Sequence, residues 1–202
     1  MSTTERIFKE YKIVKGKQTK ALGVFCSIFP DFTRYNDLLP NEYIAKFWEL
    51  YEAGTKEDNS INGKVFEYLI ISLLINNNIL PVYVQAKVAF VPNVDFDLLL
   101  YSKEKPIALS IKTSLRERYK QADLEAIALK YVHRKAECYL LTLNEQEVKS
   151  VNEKIKTGDV IGIDNVIDLR SKAINELINE LKEIQFDVAG KIDIITASAI
   201  VG

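Results

Sequence analysis

Two runs, Asn93-Val94-Asp95-Phe96-Asp97-Leu98-Leu99-Leu100-Tyr101 and Pro106-Ile107-Ala108-Leu109-Ser110-Ile111-Lys112, decide how this chain folds. Both are apolar enough for buried strands, and Ser102-Lys103-Glu104-Lys105 between them is a polar link of hairpin length. Side chains two apart on a strand share a face, so Asp95 goes with Asp97 and Ser110 with Lys112. A hairpin brings the two pairs to one strand end.

Outward from this hairpin, helical and strand patterns alternate. Residues 65–75 are apolar over a helical length, and Asn76-Asn77-Asn78 with Pro81 stops them. A strand follows at 82–91, ahead of the hairpin strands 94–101 and 106–111. Residues 122–131 set Leu124, Ile127, Ala128 and Tyr131 on one helical face, and 136–143 reads as a strand. The remainder reads helix at 145–156, strand at 160–167, helix at 173–184 and a last strand at 192–201. This order predicts an α/β protein with a mixed central β-sheet flanked by helices. Ahead of it, helical patterns at 7–11 and 42–51, the latter with Asn41 as N-cap, and a polar loop at 54–62 mark a helical N-terminal arm. The expected division is an arm at 1–60 and a main body at 61–202.

Composition narrows the chemistry. Hydrophobic residues make up 48% and charged residues 27%, the balance of a globular domain and not of a disordered or fibrous chain. The longest apolar run, 68–75, is far shorter than the ~20 residues that cross a bilayer. No secretion signal opens the sequence, so a cytoplasmic protein without a membrane partner is expected. Cys26 and Cys138 are too few for a disulfide framework and read as core residues. With His133 as the single histidine and no phosphate-binding glycine loop, the chemistry must rest on carboxylates and lysines.

Asp95 or Asp97 beside Lys112, with Glu125 reaching in from the next helix, is the composition of a magnesium site. Hard oxygen ligands suit Mg²⁺, which takes one or two carboxylates and keeps several waters. Ser110 and Lys112 interrupt what reads as an interior strand, where an unpaired lysine is costly. Glu67 sits in the nearly all-apolar 65–75 helix and needs a cation or hydrogen bonds there.

A strand aspartate, a hairpin, a strand ending in x-Lys, a preceding helix with a glutamate and a following helix together resemble the core of the PD-(D/E)xK nuclease superfamily, over roughly residues 63 to 143. Ser110 stands where the commonest form carries an acid. In this respect the chain is similar to type II restriction endonucleases that carry Ser or Thr there and move the second acid onto the next helix; here twelve residues separate Lys112 from Glu125. The proline of the signature is absent, since Val94 precedes Asp95 and Phe96 precedes Asp97.

The resemblance implies a restriction-endonuclease-like fold and Mg²⁺-dependent hydrolysis of double-stranded DNA, with Mn²⁺ able to substitute, leaving a 5′ phosphate. The catalytic set it implies is Asp97, Lys112, Glu125, Ser110 and Glu67, and the metal ligands are Asp97 and Glu125, with Asp95 the alternative aspartate. Between Lys112 and Lys135 seven basic residues stand against three acidic ones, in a chain of net charge −1. Thr113, Ser114, Arg116, Arg118, Lys120 and Gln121 are therefore the expected DNA contacts. Cutting both strands at one site requires two centres, hence a homodimer, for which the aromatic-rich residues 25–51 are the expected interface. Two other readings stand beside the restriction enzyme. One is a repair or mobile-element nuclease of the same fold. The other is a non-catalytic α/β domain binding DNA or protein, in which Asp97 and Lys112 form a structural ion pair.

Overall fold

A computed structural model describes residues 1–14, 16, 19–54, 59–190 and 194–202. At its centre β1 (Val82–Val88), β2 (Phe96–Leu100) and β3 (Ile107–Ile111) form an antiparallel meander, with Leu98 opposite Val84 on one side and Leu109 on the other. β4 (Glu137–Thr142) and β5 (Asn165–Asp168) join in parallel beyond β3. β6 (Ile194–Thr196) and β7 (Ala199–Val201) line the other edge of β1, completing a seven-stranded mixed sheet.

The protein is thus α/β, with helices on both faces. One face is covered by α1 (Thr3–Glu10), α2 (Lys20–Ile28), α3 (Pro40–Gly54), α4 (Asn59–Asn76) and α7 (Ala173–Lys182), whose apolar side chains share a core with Val84, Leu98, Leu100 and Leu109. The opposite face is covered by α5 (Arg118–Val132) and α6 (Glu145–Thr157), around Tyr83, Leu99 and Leu140. No helix among the described residues is long and apolar enough to cross a membrane. Because β3, β4 and β5 run parallel, their C-terminal ends lie together, at the same end of the sheet as the β1–β2 turn. In α/β sheets this is the end where ligands bind.

Several boundaries differ from those expected. α2 was hidden by a sequence too short to show more than two turns; Thr19 starts it by accepting from Leu22 N at 3.2 Å. α3 begins at Pro40, so Asn41 lies inside it rather than capping it. Asn41 instead exchanges two hydrogen bonds with Asn175 of α7, at 2.9 and 2.8 Å. α4 starts at Asn59, inside the expected 54–62 loop, whose residues 55–58 lie outside the described residues. The first strand stops at Val88, and the last expected strand is two, β6 and β7, with residues 191–193 outside the described residues.

The face that α5 buries also differs. Tyr119, Ala122, Ala126 and Leu129 point inward, whereas Leu124 and Tyr131 are 67% and 85% exposed. Small Ala122 and Ala126 allow the helix to lie close to the sheet. The 160–167 strand shrinks to β5 because Asp123 on α5 accepts from the amides of Ile161, Gly162 and Ile163 at 3.1, 2.6 and 3.2 Å, holding that segment as a loop. A Cβ at Gly162 would collide with the backbone of α5.

The aromatic residues of the arm are not left for a partner. Phe25, Phe29, Phe32, Tyr43, Phe47, Trp48 and Tyr51 are each exposed by 8% or less, and many of their rings touch one another. The expected dimer interface at 25–51 is corrected on this ground: α4 and the sheet face supply enough apolar surface to bury these rings within one chain. The outer edge of β5 is closed too. The side-chain amide of Asn152 donates to Val166 O and accepts from Val166 N, both at 2.9 Å, standing in for a neighbouring strand.

Candidate active site

Past the pair Leu98↔Leu109, β2 and β3 part, so Phe96 and Asp97 have no ladder partner on β3. Asp97 fills the gap with its side chain. Its Oδ2 accepts from Ile111 N at 2.8 Å and from Lys112 Nζ at 2.7 Å. The pair is nearly enclosed, with 15% of the Asp97 side chain and 17% of Lys112 exposed. The backbone of Lys112 is itself fixed, its N–H donating to Leu141 O on β4. Three neighbouring strands therefore aim one carboxylate and one ammonium at the splayed strand end.

Two further acids flank the pair. Glu125, on α5, lines a cleft with Asp97, Ser110 and Ala122 and accepts from Gln121 at 2.7 Å. Burial pushes its carboxyl above the ordinary range, with Lys112 opposing and Asp97 and Asp95 adding to the shift. Glu67, on α4, pairs with Lys64 at 2.6 Å. Burial raises its carboxyl as well, and it too feels the charges of Asp97 and Lys112. Ser72, on the same helix, is fully buried and hydrogen-bonded to Tyr43.

The sign of these shifts gives a test. A carboxyl raised in the fold binds its proton more tightly there than in the unfolded chain, so above the unfolded pKa of about 4.3 it subtracts from stability. Glu67→Gln and Glu125→Gln are therefore expected to raise thermal stability at pH 7, with the gain fading as pH falls toward 4. A melting series across pH checks this; equal destabilisation at both ends would show that the carboxylates are held as structural anions.

Asp95 stands apart from the pair. It lies before β2 begins, so strand alternation does not govern it, and it pairs at 3.7 Å with Lys87, both side chains more than half exposed. The structure thus brings Asp97, and not Asp95, to Lys112. Thr113, Ser114, Arg116 and Arg118 line one groove with Asn59 of α4. Glu117 pairs with Lys120 and Asp123 is taken by backbone amides, so neither arginine has an ion pair among the described residues. Gln121 serves Glu125. Burial pushes the Cys138 thiol up to about 12, in keeping with a core residue.

Sequence reasoning missed Glu147. Capped by Asn144, it accepts from Leu115 N at 2.8 Å and Arg116 N at 3.1 Å, with Ser114 Oγ at 3.4 Å, and so pins the loop that follows Lys112. The Asn144-x-x-Glu147 spacing announces a helix start, but nothing local shows that the carboxylate reaches a loop 31 residues away. The chain matches no protein-family model, no curated protein and no solved structure.

Proposed function

We propose that the chain is a Mg²⁺-dependent endonuclease that hydrolyses phosphodiester bonds of double-stranded DNA, in the manner of a type II restriction enzyme. The observation that carries this reading is the Asp97–Lys112 pair at the parted end of β2 and β3, with Glu125 and Glu67 within electrostatic reach of both. A purely structural ion pair would satisfy the bonds of Asp97 and Lys112 but gives no reason for two more carboxylates, held at a cost, around the same lysine.

The donor set fits magnesium. Asp97 Oδ2 is taken by Ile111 and Lys112 and Glu125 Oε1 by Gln121, while among the described residues Asp97 Oδ1 and Glu125 Oε2 accept nothing. Asp97 and Glu125 would hold the ion together with water, although no group of three or more acids, cysteines or histidines close enough for a metal forms among the described residues. When bound, Mg²⁺ supplies an acidified water and neutralises phosphate charge.

Lys112 has three N–H donors, of which Asp97 uses one. Among the described residues the other two have no acceptor and are left to orient the attacking water and to hold the charge that grows on the phosphoryl oxygens. The water oxygen gives up a proton to solvent and bonds to phosphorus as the P–O3′ bond breaks, and the departing O3′ takes up a proton from solvent. Arg116 and Arg118, free of ion pairs among the described residues, supply phosphate contacts beside the cut.

Incubating supercoiled plasmid with pure protein and Mg²⁺ or Mn²⁺ tests the reading. Ion-dependent conversion to linear DNA supports it; DNA binding without cleavage at any ion concentration supports the non-catalytic domain. A homodimer belongs to the same proposal, with a mass near twice 23.0 kDa expected by light scattering of the protein at micromolar concentration.

A further inference from the structure

Among the described residues, most of the non-glycine left-handed backbone lies near the candidate site. Of the six non-glycine residues with positive φ among the described residues, Gln85 lies on β1 between the pairs Val84↔Leu98 and Ala86↔Phe96, Phe90 and Asn93 are in the β1–β2 turn, and Arg116 lies in the loop after Lys112. Asn accepts this conformation readily; a bulky aromatic does so only under constraint. Phe90, at φ 65°, is also 79% exposed. Its ring thus gains nothing from burial while its backbone is strained. Such strain collects at functional sites.

The position of Phe90 tells what the ring meets. The turn 89–95 joins the end of β1 to the start of β2, so it lies at the same end of the sheet as Asp97, Lys112 and the groove of Thr113, Arg116 and Arg118. Lys87 and Asp95, an exposed ion pair, flank the turn in sequence and Asn93 lies within it, and between residues 82 and 100 Phe90 is the one exposed large hydrophobic. A single exposed aromatic at the same sheet end as cations suited to phosphates matches a nucleobase.

Resting on the nuclease reading above, we propose that Phe90 is a base-stacking residue: its ring stacks on, or wedges into, the duplex next to the phosphodiester held at Lys112, and so distorts the DNA at the cut. Apolar wedges of this kind unstack a base step and kink the helix, and stacking tolerates any base because every base has a π-face. This makes the β1–β2 turn part of the DNA-binding surface, alongside the loop pinned by Glu147.

The test uses the full chain and a defined duplex containing one cleaved site, with 2-aminopurine placed at successive positions around the cut. Phe90→Asn keeps the left-handed backbone but removes the ring; Phe90→Trp keeps a stacking face. In the Lys112→Ala background, expected to bind without cutting, 2-aminopurine emission should rise on binding at one or two positions beside the cut. That rise should be lost with Phe90→Asn and kept with Phe90→Trp. With Lys112 present, Phe90→Asn is expected to lower kcat/KM about tenfold or more while its melting temperature holds or rises. Unchanged cleavage and an unchanged emission profile in Phe90→Asn, from a protein that does cut DNA, would overturn the stacking role and leave the nuclease reading intact. Failure of the unaltered protein to bind or cut any DNA would overturn both.

Discussion

Lys112→Ala is expected to lower the rate of DNA cleavage by about a thousandfold or more while leaving DNA affinity within a few-fold. A donor that meets charge developing in the transition state, inside a site shielded from water, is worth about 10²–10³ in rate by itself. The lysine side chain is only 17% exposed and is aimed by Asp97, so no nearby cation replaces it at the same point. Lys64 is engaged with Glu67, and Arg116 and Arg118 belong to the neighbouring groove. Single-turnover cleavage of one end-labelled duplex measures the loss. A fall of less than about tenfold would assign Lys112 a structural role.

Asp97 separates structure from chemistry more sharply, because the proposed nuclease gives it a part in both. Asp97→Ala removes the acceptor for Ile111 N–H and the partner of a mostly enclosed ammonium. A loss of about 1–3 kcal/mol in unfolding free energy is expected, the cost of leaving a buried donor unsatisfied. Asp97→Asn keeps an oxygen acceptor in place and should lose less stability, yet without the carboxylate it should be as inactive as the alanine variant. Both should bind DNA in the absence of divalent ions at least as well as the unaltered protein, since a carboxylate beside the phosphates is gone. Denaturant unfolding and cleavage, measured on the same preparations, check the two halves. Asp95→Ala is the control and should retain activity, because Asp95 is engaged with Lys87 at the surface.

Why the layer order was readable, and the site only partly so, follows from the range of the interactions. The hairpin strands around Asp97 and Lys112 declare themselves by apolar runs and a polar link, which are local signals, and so does the order of helices and strands after them. The parting of β2 and β3 is not local. It depends on Asp97 replacing a ladder partner for Ile111, fourteen residues away, and it brings Asp97 rather than Asp95 to Lys112, a choice that spacing alone left open. Glu147 and Asp123 act over similar or longer separations, one pinning the loop after Lys112 and the other turning an expected strand into a loop. The face of α5 was misread because Leu124 and Tyr131 look like core, whereas close approach to the sheet selects the small Ala122 and Ala126. The arm's aromatics looked like a surplus only until α4 and the sheet were seen to enclose them.

Ser110, which lines the cleft with Asp97 and Glu125, ties the account together. Ser110→Asp would place an acid at the position the commonest nuclease arrangement uses, and partial rescue of Glu125→Ala by it would show that Glu125 supplies the displaced ligand. The most direct test is digestion of a defined DNA with Mg²⁺, followed by mapping of the ends. The account predicts cuts at a fixed sequence with 5′ phosphate and 3′ hydroxyl ends, abolished by chelation of the metal and absent from the Asp97→Asn protein. Intact DNA at every Mg²⁺ and Mn²⁺ concentration, or equal cleavage by Asp97→Asn, would contradict it.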